Sequence, residues 1–439
     1  MPVSNPYLSR LIAGARRAKA QAPYVGWMLV ERVWMVASGV LVGFWVVRSL
    51  GPEEFGKFSA ATSIAAVLAG LSAMGLETVV VRRLTSGHNN PRQILLAAGA
   101  LRLAGSVVYT LVCGLAAALL FPHSLDVAVM AAWIAAATIF RVTDVVGLWY
   151  QAQNQYGKAA RLRILIRIGG DIIRVTLILH QASATWFAIA ILLEAVVAAI
   201  VFLVSGRHLL SSEGVPDGQL ARSLFADGRP VMISVLVAAL YARMDQLILY
   251  NMGGALENGY YAAAARISEA FNVVLLSIGA VAAAHFGRLV SASADVVERE
   301  LKDYYRSMTL WGLVLSATVC LLAGPIVRAV YGPSFTPTIA VLRIHAWTFC
   351  LVCSSAALEP WFYHHQKLRH FIPKTLLALA FSVPAVLVGT WLAGSVGTAA
   401  AVVATYAVSV FATNALLPGV RDAFRFQLSA FRKRENAAT

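Results

Sequence analysis

The basic residues of this chain are sorted, and the sorting constrains what it can fold into. Of its 36 Lys and Arg residues, 26 fall in, or at the borders of, every second gap between long apolar runs. Three (Arg48, Lys57 and Arg328) fall in the remaining gaps, and seven (Arg32, Arg102, Arg141, Arg174, Arg243, Arg266 and Arg343) lie inside the runs. A soluble fold scatters its cations over its whole surface. A chain threaded repeatedly through a bilayer sorts them, because Lys- and Arg-rich loops stay on the cytoplasmic side.

The runs themselves are mostly long enough to cross ~30 Å of hydrocarbon. Twelve are visible, at 24–47, 57–81, 94–120, 125–149, 163–180, 184–206, 230–250, 259–284, 306–324, 337–360, 372–393 and 396–418. They leave no gap long enough for a soluble domain. The chain is 59% hydrophobic and only 13% charged, where a soluble domain is about a quarter charged. The expectation is an all-α integral membrane protein with about twelve spans. The even number of spans, with basic residues in alternate gaps, places both termini in the cytoplasm.

The expected organisation is a basic amphipathic N-terminus (1–23), a first bundle of six helices (24–207), a linker (208–229), a second bundle of six (230–418) and a basic tail (419–439). Leu8, Leu11, Ile12 and Ala15 share a helical face opposite Arg16, Arg17 and Lys19. Val420, Phe424, Leu428 and Phe431 do the same beside Arg425 and Arg432. Such segments lie in the membrane interface. The net charge of +15 is accounted for by loops that fix orientation and touch anionic headgroups. No aromatic-basic cluster resembles a nucleic-acid module, so nucleic acid is not an expected partner. Cys113, Cys320, Cys350 and Cys353 all sit in apolar runs; the C-x-x-C of the last two lacks further metal ligands and reads as packed thiols.

An internal repeat links the halves. At a shift of 203 residues, Gly51, Glu54, Gly56, Phe58, Ala60 and Ala61 meet Gly254, Glu257, Gly259, Tyr261, Ala263 and Ala264. Six spans separate the copies, so the halves share one membrane orientation, a parallel repeat about an axis along the membrane normal.

These two turns, with Met244-Asp-Gln-Leu-Ile-Leu-Tyr before the second, resemble the multidrug/oligosaccharidyl-lipid/polysaccharide (MOP) superfamily. Tyr331-Gly-Pro-Ser-Phe followed by Ala340-Val-Leu-Arg-Ile resembles its polysaccharide branch, the Wzx-type O-antigen and exopolysaccharide flippases. The resemblance implies a MATE-like pair of pseudo-symmetric six-helix bundles around a central cavity. It also implies passage of an undecaprenyl-diphosphate-linked oligosaccharide from the cytoplasmic to the periplasmic leaflet of a bacterial inner membrane, beside other membrane proteins of polysaccharide assembly.

The seven arginines inside the runs carry the functional argument. Each costs about 2.5–3.5 kcal/mol at mid-span, so seven facing lipid would cost on the order of 20 kcal/mol. Each must meet a carboxylate, a wet cavity or the headgroups. Arg141 with Asp144, Arg266 with Glu269, and Arg167, Asp171 and Arg174 stand three or four residues apart, where helical neighbours meet. Such pairs either hold helices together or line a cavity. Arg102 and Arg343 lack a carboxylate at that spacing, and Arg32 and Arg243 have one only on another face; these four are the candidate substrate contacts, with Arg266, Arg141 and Arg174 as further ones. Arg32 has a second reading, snorkelling to the headgroups. Arg102 heads a polar stripe, Arg102-Ser106-Tyr109-Cys113, which adds Tyr109 to the candidates. Guanidinium stays charged and grips phosphate oxygens with paired hydrogen bonds. Asp245, Asp144, Asp171, Glu269 and Glu194 are candidate coupling sites for a proton or sodium ion. No other cofactor is implied. An ion-coupled drug exporter of the same superfamily is the alternative reading. A membrane enzyme of polysaccharide assembly is a third, disfavoured because the outer gaps are short and carry no catalytic constellation.

Overall fold

A computed structural model describes residues 6–86, 90–153, 155–210, 217–288 and 293–432. In lipid every backbone polar group needs an internal partner, which selects helices or closed barrels. The outcome here is helical: among the described residues every regular element is a helix. Span 1 and the start of span 2 form α1 (Pro6–Leu68), and the rest of span 2 is α2 (Gly70–Ala73) and α3 (Leu76–Ser86). Span 3 is α4 (Pro91–Leu120). Span 4 is α5 (Leu125–Phe140), a 3-10 turn (Arg141–Asp144) and α6 (Val145–Ala152). Spans 5 and 6 are α7 (Tyr156–Leu179) and α8 (Ala184–Leu210), and α9 (Gly218–Arg288) carries spans 7 and 8. Span 9 lies in α10 (Ala294–Val330), and span 10 is α11 (Thr338–His345) with α12 (Thr348–His364). Spans 11 and 12 run through α13 (Phe371–Ala407), a π-turn (Val408–Ala412) and α14 (Thr413–Leu416), before a last helix, α15 (Arg421–Phe431).

Eight helical stretches are long and apolar enough to cross a membrane, and the stretches 26–86, 218–271 and 371–416 each hold two of the expected spans. The remaining span, α7, is long enough but is broken up by charge. The fold therefore accommodates the twelve runs. Glycine sets the internal breaks: Gly51 (φ 73°) in α1, Gly254 (φ 78°) in α9, and Gly394 (φ 53°) in α13. The pair Gly51 and Gly254 adopt nearly the same conformation, with ψ of 172° and −175°. The repeat in the sequence is thus a repeat in backbone geometry, in a region open almost exclusively to glycine.

The helices gather into two compact units, 1–50 with 61–243, and 51–60 with 244–439. In the first, Leu76, Val80, Ile94, Leu95, Val145, Leu220 and Leu224 form one apolar cluster. The expected linker is accordingly helical from Gly218 onward, because Leu220 and Leu224 have that core to bury against, and Asp227 accepts from Arg83 at 2.9 Å and Arg82 at 3.4 Å. Residues 211–216 of the linker, 433–439 of the tail and the side chains of the N-terminal amphipathic face lie outside the description.

In the second unit, Glu257 accepts from the Ser395 backbone N–H at 2.9 Å where α13 breaks. The helix α15 buries Ala423, Phe426, Gln427 and Ala430. Gln427 donates to the Tyr305 hydroxyl at 3.0 Å and accepts from Asn414 at 3.1 Å. Its expected interfacial face is therefore divided: Val420 is buried in protein, while Leu428 and Phe431 stay exposed. The cysteines are free thiols, with Cys353 packed against Gly312.

Candidate functional site

The charge that marks α7 off from the other spans is gathered on one face. Arg163, Arg167, Asp171 and Arg174 follow at steps of four, four and three, so they stack along one side. Their partners come from α1 and α8. Arg163 grips Glu31 with both arms, Nε to Oε1 at 2.6 Å and Nη2 to Oε2 at 3.3 Å. Arg167 donates to Ser38 Oγ at 2.7 Å and lies 3.3 Å from Asp171. Ser38 in turn donates to Asp171. Arg174 bonds Asp171 at 3.1 Å and closes tightly on Glu194. Room for that carboxylate is made by Gly170, where a β-carbon would stand 2.6 Å from Glu194 Oε2. Three guanidiniums thus face three carboxylates, all shielded from water to a large degree. Removing one partner of such a pair costs about 3–5 kcal/mol, because it strands a charge.

Below Arg102, the polar stripe of α4 is engaged with its neighbours. Tyr109 donates to the Ala65 carbonyl at 2.6 Å, and Ser106 to that of Thr138 at 3.1 Å, with Ser72 Oγ 3.0 Å away. Cys113 Sγ lies 3.8 Å from the Ala131 carbonyl. These bonds tie α4 to α5 and to the broken span 2, where Met74 and Gly75 both have positive φ. Arg102, 7% exposed, donates to Glu77 of α3 at 3.2 Å. That partner is 25 residues away, so helical spacing could not reveal it. The same holds for Glu31 with Arg163, 132 residues apart.

In the second unit Asp245 accepts from the buried Tyr261 hydroxyl and from the Gln246 backbone N–H at 2.8 Å. Gln246 accepts from Ser59 at 2.7 Å. Arg266 and Glu269 are both electrostatic neighbours of Tyr331, whose hydroxyl donates to the Ala263 carbonyl at 3.1 Å. Arg243, the last residue of the first unit, is half-buried. His345 is buried, with Nδ1 2.9 Å from Ser268 Oγ. Among the described residues no group of His, Cys, Asp and Glu side chains is gathered as metal ligands.

Three candidate arginines stand apart. Arg32 and Arg141 in the first unit and Arg343 in the second are exposed and form no ion pair within 4 Å among the described residues. They are the guanidiniums left available to an outside anion.

The sequence model of a family described as polysaccharide biosynthesis protein matches residues 36–284. The chain belongs to the polysaccharide biosynthesis protein family. Solved structures agree on the fold of this family member. An inward-facing multidrug resistance MATE family transporter of the MOP superfamily aligns with a TM-score of 0.69 and 16% identity, over 91% of this chain and 96% of its own. The lipid II flippase MurJ, in an inward closed conformation, gives 0.66 and 11%, over 93% and 90%. A MOP superfamily transporter from Pyrococcus furiosus, described as having a binding pocket of reversed polarity, gives 0.55 and 15%, over 94% and 97%. No curated protein sequence matches this polysaccharide biosynthesis protein. Its fold is shared with solved structures of MOP superfamily transporters.

Proposed function

We propose that this chain is a flippase that carries undecaprenyl-diphosphate-linked oligosaccharide repeat units from the cytoplasmic to the periplasmic leaflet of a bacterial inner membrane, by alternating access and without covalent chemistry. Its family is described as polysaccharide biosynthesis protein, and its fold is shared with a lipid II flippase. The observation that carries the reading is the state of Arg32, Arg141 and Arg343. They are exposed, ion-pair with none of the described carboxylates, and sit in runs otherwise built for lipid. Guanidinium is the side chain suited to a diphosphate: it holds two oxygens at once and never loses its charge.

A cationic drug needs free carboxylates. In the first unit Glu31, Glu77, Asp171 and Glu194 are already held by arginines, and Asp144 has three arginines as electrostatic neighbours, which favours an anionic cargo over the exporter alternative. Asp245, hydrogen-bonded to Tyr261 in the repeated motif, is the first candidate for coupling to a proton or sodium ion, and the termini are placed in the cytoplasm by the sorted basic loops. The test is reconstitution of the purified protein in vesicles carrying a lipid-diphosphate oligosaccharide in one leaflet. Transfer above that of protein-free vesicles is expected; transfer equal to it overturns the proposal.

A further inference from the structure

Span 4 is interrupted between α5 and α6 by the 3-10 turn Arg141–Asp144, a kind of break that often marks a functional hinge. Asp144 is half-buried, and its electrostatic neighbours are Arg141 on its own turn, Arg102 of α4, Arg163 of α7 and Glu77 of α3. Yet it makes no hydrogen bond or ion pair within 4 Å among the described residues. Elsewhere in the same unit Asp171 and Glu194 close directly onto arginines. Asp144 does not, although guanidiniums from three elements are its electrostatic neighbours.

The surrounding donors are also incompletely used. Arg102 is nine-tenths buried and spends one arm on Glu77, while its Nε has no partner. Arg141 is exposed and forms no ion pair. A tether would bring these groups into contact. A metal ion would be repelled by three guanidiniums. What suits unfilled donors beside an unpaired carboxylate is a small group rich in acceptor oxygens.

Charge decides when such a group can enter. Arg102, Arg141 and Arg163 are balanced by Glu77, Glu31 and, when it is ionised, Asp144. A dianion entering that balanced set would meet the Asp144 carboxylate. One proton on Asp144 leaves the set with one excess positive charge and adds an O–H donor. Glu77 and Glu31 are tied in ion pairs, so Asp144 is the carboxylate free to change state. We propose that the Arg141–Asp144 turn is a proton-operated docking point for a phosphoryl group, with Arg102, Arg141 and Arg163 as its donors and Asp144 as the spacer that excludes the group until protonated. This deepens the flippase reading and rests on it for the class of ligand, a diphosphate ester.

The test is calorimetric binding to the full-length protein in detergent, with a short isoprenyl diphosphate, inorganic pyrophosphate and phosphatidylglycerol as probes. Binding of the isoprenyl diphosphate should weaken by up to roughly tenfold per pH unit once Asp144 is ionised. Asp144→Asn, which keeps the shape without the charge, should bind at pH 8 at least tenfold tighter than the unaltered protein, and its remaining pH slope reports the ligand's own ionisation. Asp144→Ser gives the same comparison should the Asn variant fail to fold. Arg141→Ala should weaken binding tenfold or more. Inorganic pyrophosphate following the same pattern supports a site that reads the phosphates. Equal binding of phosphatidylglycerol, or identical affinities and slopes for the Asn variant and the unaltered protein, overturns the proposal. Vesicle transport separates the two readings: pH-linked binding without transfer keeps this site and removes the flippase, and transfer without pH-linked binding does the opposite.

Discussion

Gly56 and Gly259, equivalent positions of the internal repeat, each press against the other's turn. A β-carbon on Gly56 would stand 1.8 Å from the Ala255 carbonyl oxygen, and one on Gly259 would stand 1.8 Å from that of Pro52. Pro52 and Ala255 are themselves related by the same shift of 203 residues. The contact is therefore reciprocal, as at an interface with two-fold symmetry. Both turns belong to the second unit, and Asn258 seals the crossing by donating to the Gly56 carbonyl at 2.8 Å.

Gly56→Ala and Gly259→Ala should each destabilise the protein by about 1–3 kcal/mol, the usual cost of overpacking a tight contact. Gly324→Ala, where a β-carbon meets nothing within 4 Å, is the control. Thermal unfolding in detergent checks this; a Gly56→Ala protein as stable as the control would show that the turns can part freely.

The neighbouring glycines of α7 offer a sharper comparison. Gly170→Ala should displace Glu194 from Arg174, while Gly169→Ala meets open space. The first should lower the unfolding temperature by several degrees and the second should not. Equal behaviour would mean that the Arg174–Glu194 contact is not what holds α7 to α8.

Arg174→Ala leaves Asp171 and Glu194 short of a partner and should cost about 3–5 kcal/mol. Replacing Arg174 and Glu194 together by Leu should recover part of that loss, because no charge is then stranded at that contact. A double variant less stable than the single one would contradict the assignment.

At the surface, Lys367 donates to Asp422 at 2.9 Å. That bond and the Lys367 charge hold the Asp422 carboxyl below its usual range. The contribution is present above the unfolded carboxyl's pKa of about 3.9 and fades as pH falls through the lower folded value. The protection factors of the α15 amides, with the intrinsic pH dependence of exchange divided out, should be steady near neutral pH and fall only in acid. Lys367→Ala should lower the protection of α15 at neutral pH and flatten its loss in acid; an unchanged acid loss would assign the response to another group.

Arg32→Ala and Arg343→Ala should each reduce transport about tenfold or more, the worth of a charged hydrogen bond of about 1.5–3 kcal/mol, with membrane insertion unchanged. Vesicle transport with a quantified amount of inserted protein reads this. Full activity in both would remove them from the substrate path.

Much of the architecture was legible in the chain alone. Span length and alternating basic loops are local quantities, set by the thickness of hydrocarbon and by the sorting of charge at insertion. The repeat was legible as well, because only glycine tolerates the conformation of Gly51 and Gly254. Local charge pairs such as Asp171 with Arg174 followed from helical spacing.

The partners of the remaining charges were decided by tertiary structure. Arg102 meets Glu77, Arg163 meets Glu31 and Arg174 meets Glu194 across helices. The stripe on α4 that could have faced a cavity instead satisfies carbonyls of adjoining helices. Helical periodicity tells which residues share a face, but not what that face meets. That depends on how helices pack, and a buried charge or hydroxyl takes whichever partner the packing brings within a few ångströms.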